Sequence, residues 1–188
     1  AMGSLQWPCN DQAPQGTPIM HVDHFVRGKG RFMLTEFIPT DERTGARFPL
    51  LLTTGRILSQ YNVGAQTART PNNHWHDEDV LEIHPFDAEN RGIKSGDHVL
   101  LQSRSGETAL RARISERMQP GVVYTTFHHA RTGANVVTTD YSDWATNCPE
   151  YKVTAVQVSR AAGLSAFQKE DRRRDVAHRQ VGAPNVTR

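Results

Sequence analysis

Cysteine is scarce in this sequence: Cys9 and Cys148 are the only two in 188 residues, far apart and in no CxxC pair. Such spacing supports neither a zinc ribbon nor a disulfide framework, and it leaves no cysteine run of the kind that ligates an iron–sulfur cluster. A reducing, cytoplasmic setting is expected. Long apolar runs are missing too, since nothing approaches the roughly eighteen residues of a membrane-spanning helix. The basic-then-apolar opening of a secretion signal is absent, as is any Gly-rich dinucleotide fingerprint. Charge of one sign is sparse. The net charge is +2, but residues 160–188 hold seven Lys/Arg against three Asp/Glu, which leaves the body at −2. A nucleic-acid footprint should be basic where the fold is, so neither nucleic acid nor membrane is expected as a partner.

What is present is enough for one core: 37% hydrophobic and 22% charged residues make a single domain the default. Residues 1–4, AMGS, read as a tag remnant, so the chain is expected to be an excised piece of something longer. Residues 5–30 are an irregular lead-in rich in Pro and Gly, and the charged tail, 160–188, is expected to be mobile. Between them, 31–38 (RFMLTEFI) alternates tolerably and stops at Pro39, and 48–54 (FPLLLTT) is a short apolar run ending at Gly55. Both are predicted strands. A strand at 80–84, a helical turn opened by Pro85 and closed by Gly92, and strands at 98–104, 108–115, 121–127 and 151–158 complete a β-rich barrel pattern. Two long segments without apolar periodicity, 57–79 and 128–149, interrupt the strands. Loops of that length in a compact domain are functional or disordered. Their aromatics, Tyr61, Trp75, Tyr141 and Trp144, need something to pack against, so both are expected to be ordered loops that line a ligand.

The order LLLTTGRILSQYN (50–62), EIHPFDAENRGIKSGDHVLLQSRSGE (82–107), PGVVYTTFHH (120–129) and GANVVTTDYSDWATNCPEYKVTAVQV (133–158) resembles the C-terminal domain of molybdopterin-dependent oxidoreductases of the dimethyl-sulfoxide-reductase superfamily. Within it, the segment ending in SDWATNCPEYK looks most like the alpha subunit of NAD-dependent formate dehydrogenase. The resemblance covers about residues 5–159 and implies a mainly β fold with short helices, a double-psi β-barrel of the aspartate-decarboxylase-like type at residues 31–159. It further implies that the barrel holds bis(molybdopterin guanine dinucleotide), carrying molybdenum or tungsten, jointly with upstream domains absent from this chain. Iron–sulfur clusters, FMN and NAD would belong to the parent enzyme, whose other subunits are the remaining implied partners. The parent would oxidise formate to carbon dioxide, and the fragment alone is expected to be inactive.

A pyrophosphate and a pterin want backbone amides, hydroxyls and a guanidinium, whose charge-assisted hydrogen bonds are worth about 1.5–3 kcal/mol each. Thr54, Gly55 and Arg56 supply that set at a strand end, Gly55 by lacking the Cβ that would hold a ligand off the backbone. By resemblance Gln60, Tyr61 and Asn62 reach the pterin end, relatives often carrying histidine where Gln60 stands. Phe127, His128, Asn135, Tyr151 and Lys152 form the second half of the site, an amide and a lysine suiting a ring edge rich in acceptors. Competing readings are an ordinary strand-ending turn for Thr54-Gly55-Arg56, a turn residue for Asn135 and a snorkelling side chain for Lys152. His74, His76, Asp77, Glu78, Asp79 and His84 have the residue types of a metal site but no standard spacing, and Glu78 and Asp79 are expected to hold local turns. No catalytic residue is assigned. Cys148 is expected to be a small buried residue, because in the family the metal-ligating cysteine comes from an earlier domain. The alternatives are the same domain of a nitrate reductase, or a stand-alone double-psi barrel that serves as an interaction module.

Overall fold

The computed structural model describes residues 6, 7, 9, 11, 13–16, 23–25 and 28–181, with side chains to 176. Residues 1–4, part of the lead-in (5, 8, 10, 12, 17–22, 26 and 27) and residues 182–188 lie outside the described set. The chain divides into two units, Ala1–Pro39 and Thr40–Arg188. In the first, a parallel bridge joins Gln6 to Gly16, and residues 31–38 form no strand. The apolar side chains of that run, Phe32, Met33, Leu34, Phe37 and Ile38, are all exposed. The expected strand at 31–38 is therefore corrected: an alternating run becomes a strand only when a partner takes up its N–H and C=O groups, and none of its residues is paired here.

The second unit is a closed barrel of six strands: β1 (Leu50–Gly55), β2 (Val80–Ile83), β3 (His98–Gln102), β4 (Glu107–Ile114), β5 (Val122–Thr126) and β6 (Thr154–Arg160). Its order around the ring is β1-β5-β2-β4-β3-β6, with β1/β5 and β2/β4 parallel and the other four pairings antiparallel. This mixed, closed ring is the mainly β double-psi barrel expected from the sequence. Period-2 alternation drives it: Leu50 and Leu52, Leu81 and Ile83, Val99 and Leu101, Leu110 and Ala112, and Val156 and Val158 all point into one apolar core with Val123. The helical turn α1 (Pro85–Glu89) starts where expected, with Pro85 in its first position and the His84 ring accepting from Phe86 N at 3.1 Å. Buried Asp87 accepts from Gly121 N at 2.7 Å and so fixes the turn, at φ +84°, that feeds β5.

Within the charged tail, residues Ala166–Val181 form a helix, α2. Its start is a capping box: Gln168 N donates to Ser165 Oγ at 3.2 Å while Ser165 N donates to Gln168 Oε1 at 3.0 Å. The same Gln168 amide bonds both the N–H and the C=O of Ala109 in β4, at 3.2 and 2.9 Å, pinning the first turn to the barrel. Among the described residues no helix is long and apolar enough to cross a membrane.

Candidate cofactor site

Strand direction decides what meets at one end of the barrel. β1 and β5 run parallel and finish side by side, Thr54 opposite Thr125 and Gly55 opposite Thr126. β6 runs antiparallel to β1 and begins there, Thr154 opposite Leu52, and β2, antiparallel to β5, also begins there. Arg56, Phe127, Tyr151 and Asp79, each within three residues of one of these strand ends, are thus gathered from four parts of the sequence.

Two bonds lock the wall. Thr54 Oγ1 donates to Tyr151 O at 3.0 Å, and Lys152 Nζ donates to Thr54 O. Lys152 Nζ also sits 5.2 Å from the centre of the Tyr151 ring. In front of this wall Arg56 lays its guanidinium over the Phe127 ring, 5.2 Å from its centroid, and donates from Nε and Nη2 to Asn62 Oδ1 at 3.0 and 2.8 Å. Asn62 takes the left-handed conformation, φ +47°, which asparagine tolerates better than most residues. Phe127 meets Tyr151 edge-on with ring centroids 6.4 Å apart. Arg56, Asn62, Phe127 and Tyr151, with Val63, Asn135, Thr138, Thr139 and Pro149, line an open cavity of about 510 Å³. The Thr139 hydroxyl is buried there without a hydrogen-bond partner. Buried polar groups are nearly always satisfied, so an orphan hydroxyl on a cavity wall is one a bound group would complete.

Five of the eleven expected site residues, Arg56, Asn62, Phe127, Asn135 and Tyr151, line this cavity, and Thr54 and Lys152 brace it. The other four sit differently. Gly55 makes room for a protein ring rather than for a ligand: a Cβ there would stand 2.5 Å from Tyr124 Oη and 2.6 Å from its Cε2. Burial, and then the Glu82 carboxylate, push the Tyr124 phenol upward, which keeps it protonated as a donor to Arg56 O at 3.3 Å. Gln60 is buried with its amide committed, Nε2 to Asn73 Oδ1 at 2.8 Å and Oε1 to Thr67 Oγ1 at 2.6 Å. Tyr61 is exposed, its N–H bonded to Thr67 Oγ1. His128 is buried, and both ring nitrogens are engaged: Nε2 accepts from Ile57 N at 3.1 Å, so Nδ1 carries the proton and donates to Asn62 O. It therefore clamps loop 57–79 to the end of β5.

The residue that reading of the sequence missed is Asp79. Instead of holding a local turn it is buried, and its carboxylate accepts from Thr126 Oγ1, from His128 N at 3.0 Å and from His129 N at 3.0 Å. Three donors from the end of β5 thus converge on one charge at the start of β2, which fixes where loop 128–149 departs. Its position just before an apolar strand, in a run of one histidine and three consecutive acids, hid this role among solvated charges. Glu78 pairs with Arg111 at 2.8 Å across to β4. Among the described residues no group of three or more His, Cys, Asp or Glu could hold a metal ion; His76 lies 3.0 Å from Ser59 Oγ, and His84 caps α1. Two further expectations fail. Cys148 is exposed, and so are all four loop aromatics. The loops owe their order to hydrogen bonds and short 3-10 turns at Thr67–Arg69, Pro71–His74 and Ala134–Val136, not to packing of those rings.

A closed double-psi barrel carrying a ring-lined polar cavity at its loop end defines the class. Residues 50–155 match the family model described as "Molydopterin dinucleotide binding domain", and the chain belongs to that family. It is 38% identical over 161 residues to "F420-dependent formate dehydrogenase 1 subunit alpha" of Methanococcus maripaludis, a match covering 83% of this chain and 24% of that protein. The same figures, over 159 residues, hold for the F420-dependent formate dehydrogenase subunit alpha of Methanocaldococcus jannaschii. A protein named nitrate reductase, from Symbiobacterium thermophilum, is 36% identical over 177 residues, covering 84% of this chain and 24% of that one. Among solved structures, acetylene hydratase from Pelobacter acetylenicus superposes with a TM-score of 0.51 at 15% identity, over 61% of this chain and 18% of that one, which speaks to fold alone. The chain spans about a quarter of the length of the curated relatives it matches.

Proposed function

We propose that this barrel is the cofactor-holding part of the alpha subunit of a molybdenum or tungsten formate dehydrogenase, and that the cavity beside Arg56 takes one arm of bis(molybdopterin guanine dinucleotide). The observation that carries this reading is the convergence of Arg56, Asn62, Phe127, Asn135 and Tyr151 on one cavity whose Thr139 hydroxyl has no partner. Those groups suit a flat heterocycle with a phosphate tail. Phe127 and Tyr151 offer ring surface, Asn135 offers a donor and an acceptor to a base or pterin edge, and Thr138 and Thr139 offer hydroxyls. Asn62 occupies Nε and Nη2 of Arg56, which leaves the Nη1 donors for an anionic oxygen.

When bound, the metal and its pterins supply the two-electron chemistry of formate oxidation. The residues of this chain bind and orient the cofactor. Lys152 and Thr54 hold the cavity wall, His128 and Asp79 set the two loops, and the barrel excludes water from one side. The rest of the alpha chain and the other subunits would provide the remaining walls, the clusters and the route to the acceptor. For the acceptor two readings have support. The resemblance of residues 127–152 favours NAD, whereas the names of the formate dehydrogenase relatives favour F420. Formate-driven reduction of each by the assembled enzyme decides between them. The match to a protein named nitrate reductase favours a second substrate reading, which full-length enzyme active on nitrate but not formate would establish in place of the first.

The test of the site is Arg56→Ala in the full-length alpha chain. Loss of charge-assisted hydrogen bonds worth about 1.5–3 kcal/mol each predicts cofactor affinity weaker by roughly ten- to a hundredfold. Metal and pterin content measured on the purified variant should fall with it. Occupancy at the wild-type level refutes the assignment.

A further inference from the structure

Residues 141–149 are exposed without exception, yet they are built as tightly as a core element. The Asp143 carboxylate accepts from Ala145 N at 3.0 Å, Thr146 N at 2.8 Å, Cys148 N at 2.9 Å and the Thr146 hydroxyl. Backbone bonds from Asp143 N to Cys148 O at 3.2 Å, Asn147 N to Asp143 O at 2.9 Å and Glu150 N to Tyr141 O at 2.9 Å close the hairpin, and Ser142 bridges Pro149 at its neck. Asn147 takes the left-handed conformation the turn requires, φ +53°. The Thr146 hydroxyl, followed by the backbone N–H groups of Thr146 and Cys148, holds the Asp143 carboxyl down to about 2, so the box is intact at neutral pH. Its polar groups turn inward on one carboxylate. What it presents outward is the indole of Trp144, 95% exposed, and the exposed ring of Tyr141.

We infer that the hairpin 141–150 is a docking finger whose Trp144 seats in an apolar pocket on the part of the alpha-subunit polypeptide that this chain lacks, latching the barrel over the cofactor. The inference rests on the reading above, that the barrel belongs to a longer alpha subunit. Three observations choose this occupant. The matched relatives are about four times as long as the region they share with this chain, so a large neighbouring surface exists in them. The base of the finger, Pro149 and Tyr151, lines the cofactor cavity, which puts the hairpin beside whatever completes that cavity. And an indole carried on a hydrogen-bonded hairpin needs little backbone ordering on docking, and aromatic anchors dominate interfaces.

Cys148, exposed on the finger, reports on docking. The experiment compares labelling of Cys148 by a bulky maleimide, read on its own peptide by mass spectrometry, in the 188-residue chain and in the full-length alpha chain. Labelling should be at least roughly thirtyfold slower in the full-length chain, as for any thiol reached only on opening. Trp144→Ala should raise the full-length rate by roughly thirtyfold, the equivalent of losing an anchor of about 2 kcal/mol at 1.4 kcal/mol per decade. It should leave the rate in the 188-residue chain unchanged, and Trp144→Phe should keep most of the protection. Equal labelling in the two chains, or protection that survives Trp144→Ala, overturns the finger. A full-length chain that holds metal and pterin while Cys148 labels freely overturns the finger alone. One that protects Cys148 but holds no cofactor overturns the cofactor reading alone, and a native gene encoding only this barrel overturns both.

Discussion

Replacing Asp79 by asparagine tests whether one buried carboxylate holds the loop end of the barrel together. The substitution is nearly isosteric and leaves Oδ1 able to accept from Thr126 Oγ1 and His128 N. It puts an NH2 group where Oδ2 accepts from His129 N at 3.0 Å, so a donor then faces a donor. The lost charge-assisted bond is worth about 1.5–3 kcal/mol, and the stranded buried donors add about 1–3 kcal/mol, for an expected destabilisation of about 3–5 kcal/mol. For a domain of this size that lowers the midpoint of thermal unfolding by roughly 10–15 °C at about 2–4 °C per kcal/mol. Urea unfolding of the 188-residue chain, followed by circular dichroism, measures it directly. The urea midpoint should fall without a change in slope, because the surface exposed on unfolding stays the same. A loss below about 1 kcal/mol would mean that the three bonds are not cooperating at a buried charge, and the account of how the two loops are set would fail with it. Asp79→Ala, which removes all three acceptor contacts, should cost more than Asp79→Asn and gives the internal check.

Gly55→Ala should destabilise the same chain by about 1–3 kcal/mol, because its methyl group displaces the Tyr124 ring and the bond to Arg56 O; urea midpoints equal to those of the parent chain would show the ring has room to spare. The finger should melt with acid before the barrel does. The Asp143 carboxyl is depressed in the folded state, so its ordering contribution is fully present above its ordinary value of 3.8 and is lost as pH falls through about 2. Amide exchange at Ala145, Thr146 and Cys148 should accelerate across that window, and protection that does not change there would place the order of the hairpin elsewhere.

The barrel was readable because its strands carry their own partners. Each apolar alternation, from Leu50 to Val158, meets another alternation of the same period, and the pattern that predicts a strand is the one that buries it. Residues 31–38 have a similar pattern and no partner, so the pattern misled. Helix α2 was hidden by its charge, although Ser165 and Gln168 spelled its capping box three residues apart. At the site, residues at strand ends were legible because topology carries them to one place. The polar residues within loops were not. Gln60 and His128 have the donors and acceptors a cofactor would use, but they spend them on Asn73, Thr67, Ile57 and Asn62. Whether a loop amide faces a ligand or a neighbour depends on contacts distant in sequence, and residue type alone carries no mark of that choice.

Closure of the ring has a consequence for how such a barrel is reused. Every strand is paired on both sides, so the ring has no edge onto which a neighbour's strand could add. Attachment to anything else has to be made through loops and caps. Loops can be rewritten without disturbing the ladder beneath them. Evolution can therefore transplant the ring between hosts of different chemistry and refit only its fringe, which accords with its recurrence in proteins named for formate, nitrate and acetylene.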